Sequence, residues 1–264
     1  MKIVVLSPEE HFHSPVVLRE LCAQCFGDKI LVVTTPKFSM HKSLRRQIKE
    51  MAEVSGWDYL ISMARASFWF SWNAFREKLS GIPFERRRFL QLEDVIRHFG
   101  LESRHFKSIN DPDAVKFLRE IQPDLIVANL FNQIVKEPVL KIPRLGCLNV
   151  HTSYLPAYRG IAPNFWALAN GEKEFGTTLH FMTSKIDDGD IVARKKVEIT
   201  GNDTVFSLYR RCSVEAAKML PSAIRKIEQG KGEFLKQDSK SASYFSRITR
   251  GAFKKLRENQ RKFF

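Results

Sequence analysis

An amide and an imidazole one residue apart, Asn149 and His151, are the side chains in this sequence best placed to do chemistry. They lie in Gly146-Cys-Leu-Asn-Val-His-Thr-Ser-Tyr-Leu-Pro-Ala-Tyr-Arg-Gly160. In an extended segment successive side chains alternate faces, so these two project together. The strand-like part covers about 146–150 and leads into His151; Pro156 and Gly160 then turn the chain away, leaving a pocket wall. Further on stands Ile186-Asp187-Asp188-Gly189-Asp190. Three carboxylates around a glycine fit a tight turn, a metal loop or the seat of one catalytic acid. A calcium loop is excluded, because it needs acids at alternate positions, a central glycine and a distal glutamate.

The elements that must hold these residues read as α/β. Lys2–Leu6 and Lys29–Thr34 are short β-branched runs, and the helix between them runs from about Ser14 to Phe26, with Ser14 as cap and Pro15 in the first turn. After the first strand comes Ser7-Pro8-Glu9-Glu10-His11, so neither a dinucleotide-binding glycine loop nor a P-loop is present. Asn110-Asp111-Pro112-Asp113 starts a helix ending near Ile121, and Leu125–Ala128 is the continuous apolar run of a buried parallel strand. A helix is expected over Asn164–Ala169. A β pair, Phe175–Met182 and Ile191–Ile199, flanks the acidic turn, and a long helix spans Asp203–Gln229. Open α/β sheets take ligands at the carboxyl ends of their strands, which is where Asn149 and His151 fall.

Residues 57–88 stand apart. Leu60, Ile61, Met63, Phe68, Trp69, Phe70, Trp72, Phe75 and Leu79 crowd one stretch, and Arg86-Arg87-Arg88 follow it. Arg65, Arg76, Glu77 and Lys78 interrupt it too often for a bilayer span. The plainest reading is a helical hairpin packed on the core; an interfacial helix on an anionic membrane and a lid over the site also fit. The chain carries 43 Lys and Arg against 29 Asp and Glu, a net of +14. Half of that excess lies in 231–264, which reads as a basic C-terminal extension. Such charge favours an anionic partner. Cys22 and Cys25 fall on one face of the first helix and have no second ligand pair, so they read as core residues and not as a metal site. Met1-Lys2 opens directly into the first strand with no leader, so the expected location is cytoplasmic.

The strand-end Asn-x-His, Ser-x-Leu-Pro-x-x-Arg-Gly from Ser153, Gly176-Thr177-Thr178 and Ile-Asp-x-Gly-Asp from Ile186 occur in one order. Together they resemble the folate-dependent formyltransferases, which include methionyl-tRNA, glycinamide-ribonucleotide and nucleotide-sugar enzymes. The likeness is good over 125–199, weak over 1–34 and at Ser243-Tyr244, and leaves out 57–100. It implies a Rossmann-like, mostly parallel twisted sheet flanked by helices. Residues 1–230 would be the catalytic domain, with a helical aromatic and basic insertion at about 57–100.

The resemblance also implies the roles. Asn149 would hold the formyl oxygen, His151 would assist and move protons, and Asp187 would set the histidine's state and help deprotonate the amine. Asp188 stands where the family often has threonine, which leaves two adjacent acids competing for that role. Asn132, Gln133, Ile134 and Val135 would line the pterin slot, with Thr183 and Ile186 closing its other side. Ser153, Tyr158 and Arg159 would contact the acceptor. The co-substrate would be 10-formyltetrahydrofolate, with no metal. This suits the reaction: acyl transfer develops an oxyanion that a fixed amide N–H stabilises, and a neutral amine must shed a proton.

A tRNA enzyme of this family normally adds a C-terminal barrel, and about 34 residues after Gly230 are too few for one. The expected acceptor is therefore a small, anionic amine, such as an amino sugar on a nucleotide or lipid carrier, with peripheral membrane contact. Methionyl-tRNA is the alternative, and hydrolysis of formyltetrahydrofolate a third reading.

Overall fold

The computed structural model describes residues 1–25, 27–36, 43–230 and 232–264. The expected helix end at Phe26 and the start of the basic extension at residue 231 lie outside the described residues.

In chain order the elements are β1 (Lys2–Pro8), α1 (Ser14–Gln24), β2 (Lys29–Thr35), α2 (Leu44–Ser55), α3 (Trp57–Leu79), α4 (Leu92–Phe99), β3 (Glu102–His105), α5 (Pro112–Ile121), β4 (Leu125–Asn129) and α6 (Glu137–Leu140). There follow β5 (Cys147–His151), β6 (Arg159–Gly160), α7 (Pro163–Ala169), β7 (Glu174–Phe181), β8 (Ile191–Glu198), α8 (Val205–Glu228), β9 (Tyr244–Phe245) and α9 (Arg250–Glu258). The main sheet runs β3-β2-β1-β4-β5-β7-β8, and β6 pairs with β9 alone. The five strands from β3 to β5 are parallel, whereas β7 and β8 run antiparallel to their neighbours.

Alternation between two covered faces explains the apolar run Ile3–Leu6 of the central strand β1. Ile3 and Val5 of β1 face a core shared with α1 and α8, and Val4 and Leu6 face the one that holds Leu118 and Val139. Each face is covered, so the middle of β1 holds no polar residue, and the buried polar residues Ser7, Asn129 and His151 stand at the carboxyl ends of β1, β4 and β5. Cys22 and Cys25 belong to the first core; burial pushes the Cys22 thiol up to about 12 and raises that of Cys25.

The chain first builds outward from β1 through β2 to β3, then crosses back to β4. The crevice at this reversal, outside the carboxyl ends of β1 and β4, is where doubly wound sheets bind ligands.

Four features differ from the sequence expectations. His13, not Ser14, precedes the first turn of α1. The exposed polar strand Glu-Ser-Arg-His of β3 lies at the sheet edge, where no apolar pattern is needed, and so left no signal. The stretch expected as a hairpin is one continuous 23-residue helix, α3. Finally, much of the basic extension is packed. Ile248, Ala252, Phe253 and Leu256 are buried with Phe165 and Leu168 of α7, because α9 has an apolar face beneath its charges. Among the described residues no helix is long and apolar enough to cross a membrane.

Candidate active site

Strand register builds the first wall. β5 and β7 pair antiparallel with Asn149 opposite His180, which puts both side chains on one face of the sheet. Asn149 Nδ2 lies 3.1 Å from His180 Nε2 and 3.3 Å from Asp187 Oδ1. His180 Nδ1 donates to the Phe181 carbonyl at 2.9 Å, so Nε2 is the acceptor for the asparagine. His180 was not singled out in the sequence. Its signal was the alternation Thr178, His180, Met182 in a strand expected to flank the acidic turn.

His151 ends β5 at 8% exposure, and its Nε2 donates to the Tyr158 carbonyl at 3.1 Å. That bond leaves Nδ1 as the basic nitrogen of the neutral ring. Burial lowers the imidazole's pKa; the Asp187 charge opposes this and His180 adds to it. His151 Nε2 is 3.8 Å from Asp187 Oδ2, and His180 Nε2 is 3.5 Å from Asp187 Oδ1. Burial alone would raise the Asp187 carboxyl. The two imidazoles and the Gly160 N–H, which donates to Oδ2 at 2.9 Å, outweigh it and hold Asp187 well below the usual carboxylate range.

The two acids that competed in the sequence part company here. Asp187 adopts a left-handed backbone (φ 49°), which aspartate tolerates, and turns inward. Asp188 turns outward onto the Arg159 guanidinium, with Lys185 at 4.0 Å. A residue from the extension clamps this turn: Gln237 Nε2 donates to the carbonyls of Asp187 (2.9 Å) and Gly189 (2.7 Å). Gly160 has φ 98°, and a Cβ there would collide with the Phe245 carbonyl where β6 meets β9.

These groups face a cavity of about 440 Å³. One side is the loop after β4, with Asn132, Gln133, Ile134 and Val135; the opposite loop brings Met182, Thr183 and Ile186. His11, Tyr209 and Tyr244 also line the cavity; Tyr244 had figured only in the family likeness, and none of the three had been named as a site residue. His11 Nε2 and the Tyr209 hydroxyl are 3.0 Å apart. Gln133 meets the cavity mainly through its backbone, since its side chain reaches away to the Ile109 N–H (2.9 Å) and the Lys107 carbonyl (3.2 Å).

Ser153, Tyr158 and Arg159, expected at the acceptor, do not line the cavity. Ser153 is fully buried and donates to the Ala157 carbonyl. The Tyr158 hydroxyl donates to Glu172 at 2.6 Å, and its ring stacks on Phe245. Arg159 is spent on Asp188 and on Gln237 Oε1 at 2.7 Å. The turn forced by Pro156 and Gly160 directs all three into the scaffold. Among the described residues no group of three or more His, Cys, Asp or Glu could hold a metal.

The formyl transferase model matches residues 81–224, so its match takes in 81–100, which the sequence reading had left out. The methionyl-tRNA formyltransferase of Agathobacter rectalis is 36% identical over 163 residues, covering 62% of this chain and 53% of the relative. That of Caldanaerobacter subterraneus subsp. tengcongensis is 31% identical over 222 residues, covering 84% and 67%. The chain thus spans about half the length of several curated relatives it matches. Among solved structures, glycinamide ribonucleotide transformylase 1 from Symbiobacterium toebii aligns at TM-score 0.59 and 21% identity, covering 90% of this chain and 94% of that one. An N-formyltransferase from Helicobacter canadensis, solved with folinic acid and dTDP-3-aminofucose, aligns at 0.60 and 19%, covering 94% and 71%. The chain belongs to the formyl transferase family.

Proposed function

We propose that this chain transfers a formyl group from 10-formyltetrahydrofolate to a primary amine at the Asn149–His151–Asp187 cluster. The observation that carries the reading is the convergence of these three side chains, with His180, on a cavity walled by two loops of mixed apolar and polar lining. Those loops suit a flat ring that is apolar on its faces and polar at its edges: Ile134, Val135, Met182 and Ile186 supply apolar contact, Asn132 and Thr183 polar groups. Bound there, the folate supplies the electrophilic formyl carbon.

The protein's own part is electrostatic and protonic. Without substrate, Asn149 Nδ2 spends its protons on His180 and Asp187, and the longer bond, 3.3 Å to Asp187, is the one a developing oxyanion would replace. A neutral, buried His151 can take the amine's proton, and the cation so formed lies beside ionised Asp187. Asp187, not Asp188, is the working acid in this reading, because Asp188 is paired to Arg159.

For the acceptor, methionyl-tRNA is the first reading and replaces the small amine favoured by the sequence. The curated relatives carry that activity in their names, and a +14 chain suits a polyanion. The aromatic rings of His11, Tyr209 and Tyr244 in the lining favour a second reading, an amino sugar on a nucleotide, whose base could stack on one of them. Mixing the protein and 10-formyltetrahydrofolate with methionyl-tRNA or with nucleotide-linked amino sugars, and following tetrahydrofolate release, separates them. Release without any amine would mean a hydrolase. No release under any condition would sink the transfer reading.

A further inference from the structure

Helix α3 is turned inside out for a helix on a soluble core. Its buried face is narrow and mostly small: Ala66, Phe70 and Ala74, with Phe70 against Phe12 and Phe89. At about 100° per residue, Ile61, Phe68, Trp72, Phe75 and Leu79 fall on the opposite side. They are 54%, 73%, 52%, 52% and 72% exposed, and Trp57 extends the row at 64%. Spacings of four and three residues keep them in one stripe, in which Arg65 takes the remaining position.

The charges beside the stripe identify what covers it. Arg65 and Arg76 are exposed along one edge. Arg45 and Lys49 of α2 share a shallow groove with Trp57, and Arg86 and Arg88 follow the far end. Asp58, the acid on the outer side of α3, is taken by Arg257 at 3.0 Å. Glu77 accepts from the Arg88 and Phe89 N–H groups. Glu53, in the same groove, lies 4.0 Å from Lys49, so the acids beside the stripe already have cations, and a second copy pairing through it would bring Arg65 and Arg76 onto their own like charges. An anionic lipid surface answers every cation and accepts tryptophan and phenylalanine at headgroup depth.

We infer that α3 docks this protein in the plane of an anionic lipid bilayer, with the stripe from Trp57 to Leu79 in the headgroup region. The inner face of the same helix holds Phe12, next to His11, which lines the cavity, so docking would orient that end of the site relative to the membrane. The inference does not depend on which acceptor is used.

The full chain is mixed with phosphatidylcholine vesicles with or without phosphatidylglycerol and sedimented, while tryptophan emission is recorded. Binding is expected only with phosphatidylglycerol, with a blue shift, and weaker as salt rises. Phe68→Ser, Trp72→Ser and Phe75→Ser together keep every charge and should lower partitioning by more than about tenfold. Arg65→Glu with Arg76→Glu should do likewise, and both variants should keep the parent circular dichroism because all five positions are exposed. Equal binding by the serine variant would assign the effect to other basic surfaces and overturn the inference. So would no binding to anionic vesicles, or a dimer in sedimentation velocity that the serine variant abolishes.

Discussion

The cavity has two walls made in different ways. On one, Asn149, His151 and His180 stand on β5 and β7, and the sheet's register fixes them in place. On the other, residues 130–135 and 182–187 are loops held from behind. Asn110 donates to the Ile134 carbonyl and accepts from the Lys136 N–H, and Gln237 holds the carbonyls of Asp187 and Gly189. A strand-borne group has its partners built into the ladder. A loop-borne group is only as well placed as the side chains that clamp it. Asp187 belongs to both: it sits on the loop wall yet meets the histidines of the strand wall.

The sharpest test of this division is to remove charge chemistry from the strand wall and leave the fold alone. Asn149→Ala should lower kcat by about 10² to 10³, the usual cost of losing one oxyanion donor. The folate KM should change little, because the proposed pterin contacts are on the other wall. His151→Ala is expected to cost a similar factor. Tetrahydrofolate release measured alongside thermal unfolding checks both. A drop in kcat within threefold of the parent would place the charge stabilisation elsewhere.

A second test uses pH. Burial lowers the His151 pKa, and in the proposed reaction the neutral ring is the form that accepts the amine's proton. At saturating acceptor, kcat should therefore hold as pH falls to 6.5, the ordinary histidine value, and decline only below it, by about tenfold per unit. The sign follows from direction: a depressed folded-state pKa keeps the neutral form to lower pH. Stability moves the same way. The unfolded chain takes up this proton near its ordinary value while the folded one resists, so stability is full above that value and falls as pH drops through the folded pKa. Asp187 is held ionised across this range and adds no limb of its own. Measured as kcat at saturating acceptor, so that the free amine's own protonation drops out, an acid limb centred above 6.5 would mean that the working base is a different group.

The walls also differ in how far the sequence disclosed them. Asn149 and His151 follow from alternation in an apolar strand ending at a turn, and that reasoning needs only local pattern. His180 obeys the same rule but becomes visible only once β7 is laid beside β5, since a cross-strand neighbour is a matter of pairing. Asp187 and Asp188 are indistinguishable by composition; a left-handed backbone at one and an arginine beside the other separate them. Gln237 had no signal, because its target is backbone carbonyl, which every residue carries. The fold was readable where strands are covered on both faces and silent at β3, which lies exposed at the edge. The basic extension misled by its charge: Phe253 and Leu256 lie within it at helical spacing and bury.

The loop wall should break by loosening, with a smaller effect than removing a catalytic group. Gln237→Ala removes both clamps on the 187–189 turn and frees Arg159 from one partner. Asp187 then keeps its chemistry but loses its place, and a displacement near one ångström costs on the order of ten- to a hundredfold. The expected signature is a fall in kcat of about tenfold with the acid limb of the pH profile moved, because His151 loses part of the charge beside it. Gln237→Glu should not rescue, since a carboxylate cannot donate to the two carbonyls.

The smallest effect is expected where the sequence had placed the acceptor. Tyr158→Phe removes a hydroxyl that donates to Glu172 at 2.6 Å and accepts from Asn170 at 3.2 Å, on the side away from the cavity. The ring remains stacked on Phe245, and the backbone carbonyl that receives the His151 proton is untouched. The loss is a buried hydrogen bond to a charged group, worth about 1.5–3 kcal/mol, reduced here because Glu172 is not fully buried. Thermal midpoint should therefore fall by a few degrees while kcat and the acceptor KM stay within about twofold. A KM that rose about tenfold with the midpoint unchanged would return Tyr158 to the acceptor's side of the cavity. The boundary between scaffold and binding wall would then lie one turn further along the chain than the hydrogen bonds place it.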